Sequence, residues 1–387
     1  MNKIYMDHGA TTPLNQEVFA EMQPYFTELF GNPSSLHFFG REVRKGVEEA
    51  RERVATAIGA DPKEIIFTSG GTESDNMAIR GVARAIQKKG NHIITSAVEH
   101  HAVLDACKGL KDEGFDITVV PVDEYGMVAV KDVEAAITDK TVLVSIMLAN
   151  NEVGTIQPVS EIGRILRAKG ITFHTDAVQA IGSLPVNVDD LHCDLLSMSA
   201  HKFYGPKGVG ALYVRKGTKM KVCEFGGAQE RRLRPGTENV PAIIGMGKAI
   251  TLVMQDMEKK VAYISGLRDR LIEGLLTIED VRLNGHREKR LPGNVNVSIQ
   301  FVEGESLILS LDLKGIAVSS GSACTSGSLD PSHVLLAMGL DHQTAHGSLR
   351  LTLGIENTND EVDYVLSVIP EIVNRLRAMS SVYQKKQ

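Results

Sequence analysis

The chain has 387 residues, 43% of them hydrophobic and 23% charged, the proportions of an ordinary folded protein long enough for two or three domains, which excludes a disordered or fibrous class. A formal net charge of -6 leaves no basic excess to neutralise phosphates, so direct binding of nucleic acid is not expected. The opening M-N-K-I-Y-M-D-H-G-A lacks the apolar core of a signal peptide, and no later run reaches membrane-spanning length, so membrane insertion is not expected either.

In chain order, short β-branched runs alternate with segments of helical period. Strands are predicted at 64–68, 92–95, 117–120, 141–147, 171–175 and 194–199. Between two of them, Ser160 to Lys169 carries Ile162, Ile165 and Leu166 at helical spacing. Repeated βα units of this kind predict an α/β fold with a mostly parallel sheet covered on both faces. Beyond about residue 250 the pattern becomes long amphipathic helices around a strand at 294–299, which predicts a smaller α+β domain. The last helix sets Val362, Val365, Leu366, Ile369, Ile372, Val373 and Leu376 on one stripe, with Pro370 expected to kink or break it.

The four cysteines show no C-x-x-C pair and no spacing of a zinc site or disulfide framework, which predicts reduced thiols and a cytoplasmic address. Cys107, Cys193 and Cys223 lie among apolar residues and read as small core hydrophobes. Cys324 differs. It sits in S-S-G-S-A-C-T-S-G-S, where almost nothing apolar anchors the backbone. Taken alone, it reads equally as a travelling nucleophile or as an incidental cysteine in a surface loop.

Four signals fall at loops that follow strands, where open α/β sheets place ligands. F-T-S-G-G-T-E-S-D-N, 67–76, runs from a strand through two glycines into a helix beginning near Thr72; Thr72 and Asp75 fit a T-x-x-D cap, and Gly71 with the first-turn N–H groups can cradle a phosphate or simply start a helix. Asp176 in H-T-D-A-V-Q ends a strand, placed either to pair with a buried cation or to cap a helix, with Gln179 three residues on. Lys202, in S-M-S-A-H-K-F-Y-G-P-K-G, follows an apolar strand, where burial makes a lysine nucleophilic toward an aldehyde. His100, in V-E-H-H-A-V, stands at another junction, able to stack on a ring or shuttle protons, whereas His101 reads as structural. His342 and His346 have i,i+4 spacing but no matching Glu or Cys, so no metal site is expected.

D-A-V-Q, S-A-H-K-F-Y-G-P-K-G, R-P-G-T-E-N and S-S-G-S-A-C-T-S-G-S-L-D-P-S-H together resemble the NifS/IscS-type cysteine desulfurases, and the likeness extends from A-T-T-P at 10–13 to A-H-G-S-L-R at 345–350. The resemblance implies a homodimeric enzyme dependent on pyridoxal 5'-phosphate (PLP), with the aspartate aminotransferase-like fold type I. It implies a large cofactor-binding domain at 12–258 and a small domain made of 1–11 and 259–387. Lys202 would be the Schiff-base lysine, Asp176 the partner of the pyridinium nitrogen, Gln179 a donor to the phenolic oxygen and His100 the stacking residue. Gly71, Thr72, Ser199 and His201 would hold the phosphate, with Thr237 reaching in from the other subunit and Asn151 touching the cofactor. Asn32 and Arg350 would bind the carboxylate of L-cysteine. Cys324 would take the substrate sulfur as a persulfide, leave L-alanine, and pass the sulfur to an acceptor such as an iron-sulfur scaffold or to a thiolated molecule.

The chain departs from that pattern in M-D-H-G-A at 6–10, where relatives usually read L-D-N-A-A, in S-G-G-T, and in L-G-I-E at 353–356, which lacks an arginine after the glycine. It ends at V-Y-Q-K-K-Q without a longer tail, which makes scaffold docking through such a tail doubtful. Selenocysteine lyase, a class V aminotransferase and a non-catalytic sulfur-relay or scaffold partner are the competing readings. An aminotransferase has no use for the Cys324 loop, and retention of Lys202, Asp176, Gln179 and Cys324 disfavours the relay.

Overall fold

The computed structural model describes residues 3–321, 331–380 and 383. Among them run twelve strands: β1 (Ile4–Tyr5), β2 (Ile65–Thr68), β3 (His92–Ser96), β4 (Asp116–Val120), β5 (Thr141–Ser145), β6 (Thr172–Asp176), β7 (Leu195–Ser199), β8 (Gly210–Val214), β9 (Val281–Leu283), β10 (Asn294–Ile299), β11 (Ile316–Ala317) and β12 (Ser348–Thr352). Seven form one sheet in the order β2-β8-β7-β6-β5-β3-β4, parallel throughout except for the antiparallel pairs that β8 makes with β2 and β7. The expected mostly parallel α/β sheet is present. The sequence reading did not include β8, whose G-A-L-Y-V follows directly on the G-P-K-G turn.

The pleat explains why both faces are covered. Successive side chains alternate sides. Ile65 and Phe67 of β2, Leu196 and Met198 of β7, and Ala211 and Tyr213 of β8 enter one core, packed with helices Phe38–Ile58, Val159–Lys169 and Val240–Met254. Ile66, Leu195 and Leu212 face the other core, shared with helices Gly71–Ile86 and His101–Lys111. A strand buried on both faces reads as a continuous apolar run, which is how these strands stood out in the sequence.

A separate core gathers β10 and β12, helices Met257–Leu275 and Asn359–Met379, and Ile4 and Met6. The three-stranded antiparallel sheet β12-β10-β9 lies here, and β1 pairs in parallel with β11, bringing the N-terminal residues to the C-terminal part of the chain. The last helix starts with a capping box between Thr358 and Glu361 and continues through Pro370 as one element, so of the expected kink or break there is no break. Its stripe of Val362, Val365, Ile369, Ile372 and Val373 is buried; Leu366 and Leu376 pack at the edge.

Cys107 and Cys193 are buried, and burial pushes both thiols up to about 12, so they are inert hydrophobes as read. Cys223 is only half-buried, at the margin of the second sheet core. No described helix is long and apolar enough to cross a membrane.

Candidate active site

The ends of β6 and β7, the start of helix Gly71–Ile86 and the 149–151 loop enclose a cavity of about 320 Å³. Ten of the residues singled out from sequence line it: Gly71, Thr72, His100, Asn151, Asp176, Gln179, Ser199, His201, Lys202 and Arg350. Asn32 and Thr237 do not. Both are exposed, and the Asn32 carboxamide accepts from the Ser34 N–H, 2.9 Å away. Cys324 lies outside the described residues.

Helix Gly71–Ile86 begins one residue before the expected start, with Gly70 rather than Thr72 at the cap position and no side-chain hydrogen bond there. Thr72 is an exposed residue of the first turn, and Asp75 points inward, so the T-x-x-D cap is corrected. The reason is conformational. Gly70 has φ +155°, which side-chain-bearing residues rarely adopt, and a Cβ on Gly71 would stand 2.7 Å from Cγ2 of Val178. An uncapped helix start on a cavity leaves backbone N–H groups for an anion.

Lys202 closes a short 3₁₀ turn after β7, and its Nζ donates to the carbonyls of Gly9 at 2.5 Å and Ala10 at 2.8 Å. Gln179 Nε2 donates to the same Gly9 carbonyl at 3.0 Å. His100 caps helix His101–Lys111, its Nδ1 accepting from the Ala102 N–H at 3.1 Å. His201 lies 3.2 Å from the Thr11 hydroxyl, and burial with the nearby Lys202 and Lys207 charges lowers it to about 4, so it is neutral near pH 7.

Beneath the cavity lie three fully buried acids, of which only Asp176 was singled out as a site acid. Burial raises Asp75 well above the carboxylate range, and the Asp176 charge adds to the rise. Burial also pushes Glu99 up to about 8, although it accepts from the Ser96 hydroxyl at 2.6 Å and the Met147 N–H at 2.9 Å. Burial raises Asp176 too, but the Val178 N–H at 2.8 Å and the charges of His100 and Lys202 favour its ionised form. Burial thus raises all three acids, and at Asp176 the charges of His100 and Lys202 oppose that rise. His174, between Ser145 and Ser197 at 2.8 and 3.0 Å, is lowered to about 3 by burial and supplies no compensating cation.

Arg350 projects from β12 and is 2% exposed. Its Nη1 donates to the Asn151 carbonyl at 3.1 Å and its Nη2 to Asp7 Oδ1 at 3.0 Å, while Nε has no partner among the described residues. Asp7, Asp75, Glu99 and Glu152, the last bonded to the Ser332 hydroxyl, went unread as site residues in the sequence. Each interacts with residues far along the chain, and among the described residues the one local hydrogen bond of these carboxylates is that of Glu99 with Ser96, three residues before it.

The segment carrying Thr237 is fastened to this neighbourhood. Glu230, Arg231 and Arg232 have φ of +42°, +57° and +66°, and the buried Glu230 carboxylate grips Arg51 through two bonds, 2.7 and 2.8 Å, and accepts from the Phe67 N–H at 2.9 Å. Arg234 pairs with Glu73, in the first turn of helix Gly71–Ile86, at 2.9 Å.

The family described as Aminotransferase class-V matches residues 4–365. A protein of Clostridium botulinum named cysteine desulfurase IscS is 56% identical over 99% of this chain and 98% of its own. A solved structure titled NifS-like protein superposes with a TM-score of 0.92 at 41% identity, covering 97% of this chain and 100% of that one. Another, titled SspA in complex with cysteine, gives a TM-score of 0.81 at 35% identity over 92% and 100%.

Proposed function

The chain belongs to the class-V aminotransferase family, and we propose from that premise that it is a cysteine desulfurase: it removes the sulfur of L-cysteine onto Cys324 and releases L-alanine. The observation that carries the reading is the convergence, in one cavity, of a lysine, a buried aspartate, an uncapped helix start and a buried arginine.

This donor set fits PLP. The start of helix Gly71–Ile86, with Ser199 and His201, suits the phosphate; a protonated ring nitrogen beside Asp176 would relieve a buried negative charge; Gln179 suits the phenolic oxygen, and His100 and Asn151 the ring. When bound, PLP supplies an aldehyde that captures an amine and a ring that accepts electrons from the α-carbon. Lys202 is the residue that holds it and afterwards removes the substrate α-proton, for which Nζ must lose a proton and leave the Gly9 and Ala10 carbonyls. Arg350 orients the substrate carboxylate. The Cys324 thiolate would attack the substrate sulfur, forming an S–S bond as the Cβ–S bond breaks; the electron pair left on carbon takes up a proton to give L-alanine, and the persulfide is passed to an acceptor.

Thr237 is assigned to the phosphate of a second subunit in a homodimer. Supporting it are Thr237's exposed position and the exposed Phe26, Phe30, Leu36, Phe38, Phe39 and Phe225, apolar surface that a lone soluble chain seldom shows. Asn32, assigned to the substrate carboxylate, lacks a supporting contact within one chain. The division into 12–258 and 1–11 with 259–387 is part of the same reading, supported by the separate cores. So is a cytoplasmic address, where free thiols such as Cys107 and Cys193 stay reduced.

The test is mass spectrometry of the cofactor-loaded protein after exposure to L-cysteine. One added sulfur on Cys324, with L-alanine and sulfide formed under reductant, is the expected result. Cys324→Ser should keep the cofactor's colour and lose sulfide release. Full turnover by that variant would overturn the reading in favour of a lyase.

A further inference from the structure

Three of the site's side chains end on one tight turn near the N-terminus. Arg350 Nη2 donates to Asp7 Oδ1, Gln179 Nε2 to the Gly9 carbonyl, and Lys202 Nζ to the Gly9 and Ala10 carbonyls. The turn is itself held. The Tyr5 hydroxyl donates to the carbonyls of Asp7 at 3.0 Å and Thr11 at 2.8 Å, the Gly9 N–H donates to the Thr352 hydroxyl at 2.7 Å, and His8 Nδ1 lies 3.0 Å from the Thr352 carbonyl. With its backbone fixed on both sides, Asp7 has little freedom to swing away from Arg350.

Arg350 is almost wholly buried, and among the described residues Asp7 is the one carboxylate within ion-pair distance of it. A buried guanidinium without a counter-charge is costly, and Asp7 offsets that cost before substrate arrives. An arriving carboxylate must then share one cation with an anion already in place.

We propose that Asp7 is a positioning residue for Arg350 that also sets a limit on how tightly the site holds an amino-acid carboxylate. The proposal rests on the reading of Arg350 as the carboxylate ligand. Two carboxylates a few ångströms apart in a poorly screened cavity repel each other, and that repulsion acts on substrate and product alike. It weakens the binding of both without touching the bond-breaking step, so it shows in KM and in product affinity rather than in kcat. The benefit is release: L-alanine carries the same carboxylate as L-cysteine and must leave the same arginine.

The experiment titrates the cofactor-loaded enzyme with L-alanine, followed by visible absorbance, alongside steady-state kinetics with L-cysteine. In Asp7→Asn the side-chain oxygen still accepts from Arg350 while the charge is gone. The L-alanine dissociation constant and the KM for L-cysteine should both fall roughly tenfold, with kcat changed less than about twofold. L-Alaninamide, which lacks the carboxylate charge, should bind wild type and variant equally. Asp7→Ser also gives up the contact that positions Arg350 and should bind L-alanine less tightly than Asp7→Asn. Unchanged or weaker L-alanine binding in folded Asp7→Asn would overturn the proposal, as would equal tightening of L-alaninamide or a Ser variant that binds L-alanine as tightly as the Asn variant. Arg350→Lys separates the two levels of inference: if it leaves L-alanine binding unaltered, the assignment of Arg350 itself falls, whereas a sensitive Arg350→Lys beside a flat Asp7→Asn removes Asp7 alone.

Discussion

Replacing Glu230 by Gln tests whether the segment carrying Thr237 is held by one buried ion pair. Glu230 and Arg51 have side chains 3% and 5% exposed, and the Arg51 guanidinium also lies 4.7 Å from the centre of the Phe67 ring. Glu230→Gln leaves that guanidinium buried beside an amide that can accept only one of its two donors. Removing one partner of a buried pair costs about 3–5 kcal/mol. For 387 residues at about 2.1 cal/mol/K each, the unfolding entropy is about 0.8 kcal/mol/K, so the melting temperature should fall by about 4–6 °C if the chain melts as one unit. The double variant Arg51→Met with Glu230→Leu removes both charges and should recover part of the loss, because no uncompensated ion remains while the buried Phe67 N–H loses its acceptor. Calorimetry of the three proteins at neutral pH decides it. A drop of less than about 1 °C in Glu230→Gln, or a double variant as unstable as the single one, would refute the reasoning.

Gly71→Ala places a methyl 2.7 Å from Val178 Cγ2, and a β-branched neighbour yields poorly, so about 1–3 kcal/mol of overpacking falls on the anion-binding helix start. PLP should bind the stripped variant at least tenfold more weakly in a fluorescence titration; equal affinity would place the phosphate elsewhere. Glu99→Gln probes the buried acids. Folding raises Glu99 to about 8, so between its ordinary value and pH 8 the folded chain holds a proton that the unfolded chain has lost; the resulting stability is complete below about pH 4.5 and disappears as pH rises through 8. The melting temperature of wild type should therefore drop more steeply from pH 6 to pH 9 than that of Glu99→Gln, and parallel curves would count against the assignment.

How far the chain could be read without coordinates depended on how local each signal was. Lys202, Asp176 and His100 were legible because each closes an apolar run and so sits where a strand meets a loop. Thr72 misled because a T-x-x-D pattern looks the same whether the acid caps the helix or turns inward; only φ at Gly70 and the burial of Asp75 separate the cases. Pro370 left a kink and a break both open, and the helix is unbroken because the buried Val368, Ile369, Ile372 and Val373 hold it on both sides of the proline. The Asp7–Arg350 pair spans 343 positions, beyond any periodicity or motif window. Asn32 and Thr237 lie exposed and away from the cavity, so the motifs that drew attention to them carry no sign of their distance from it.

The turn at 7–10 also orders events during synthesis. Its partners Arg350 and Thr352 leave the ribosome some 340 residues after it, and until they arrive the turn lacks two of the contacts that hold it. A nascent chain that already displays the complete seven-stranded sheet still has an unfinished lysine environment. Loss of the chain from Arg350 onward would leave every residue of that sheet in place and remove two of the anchors of the turn.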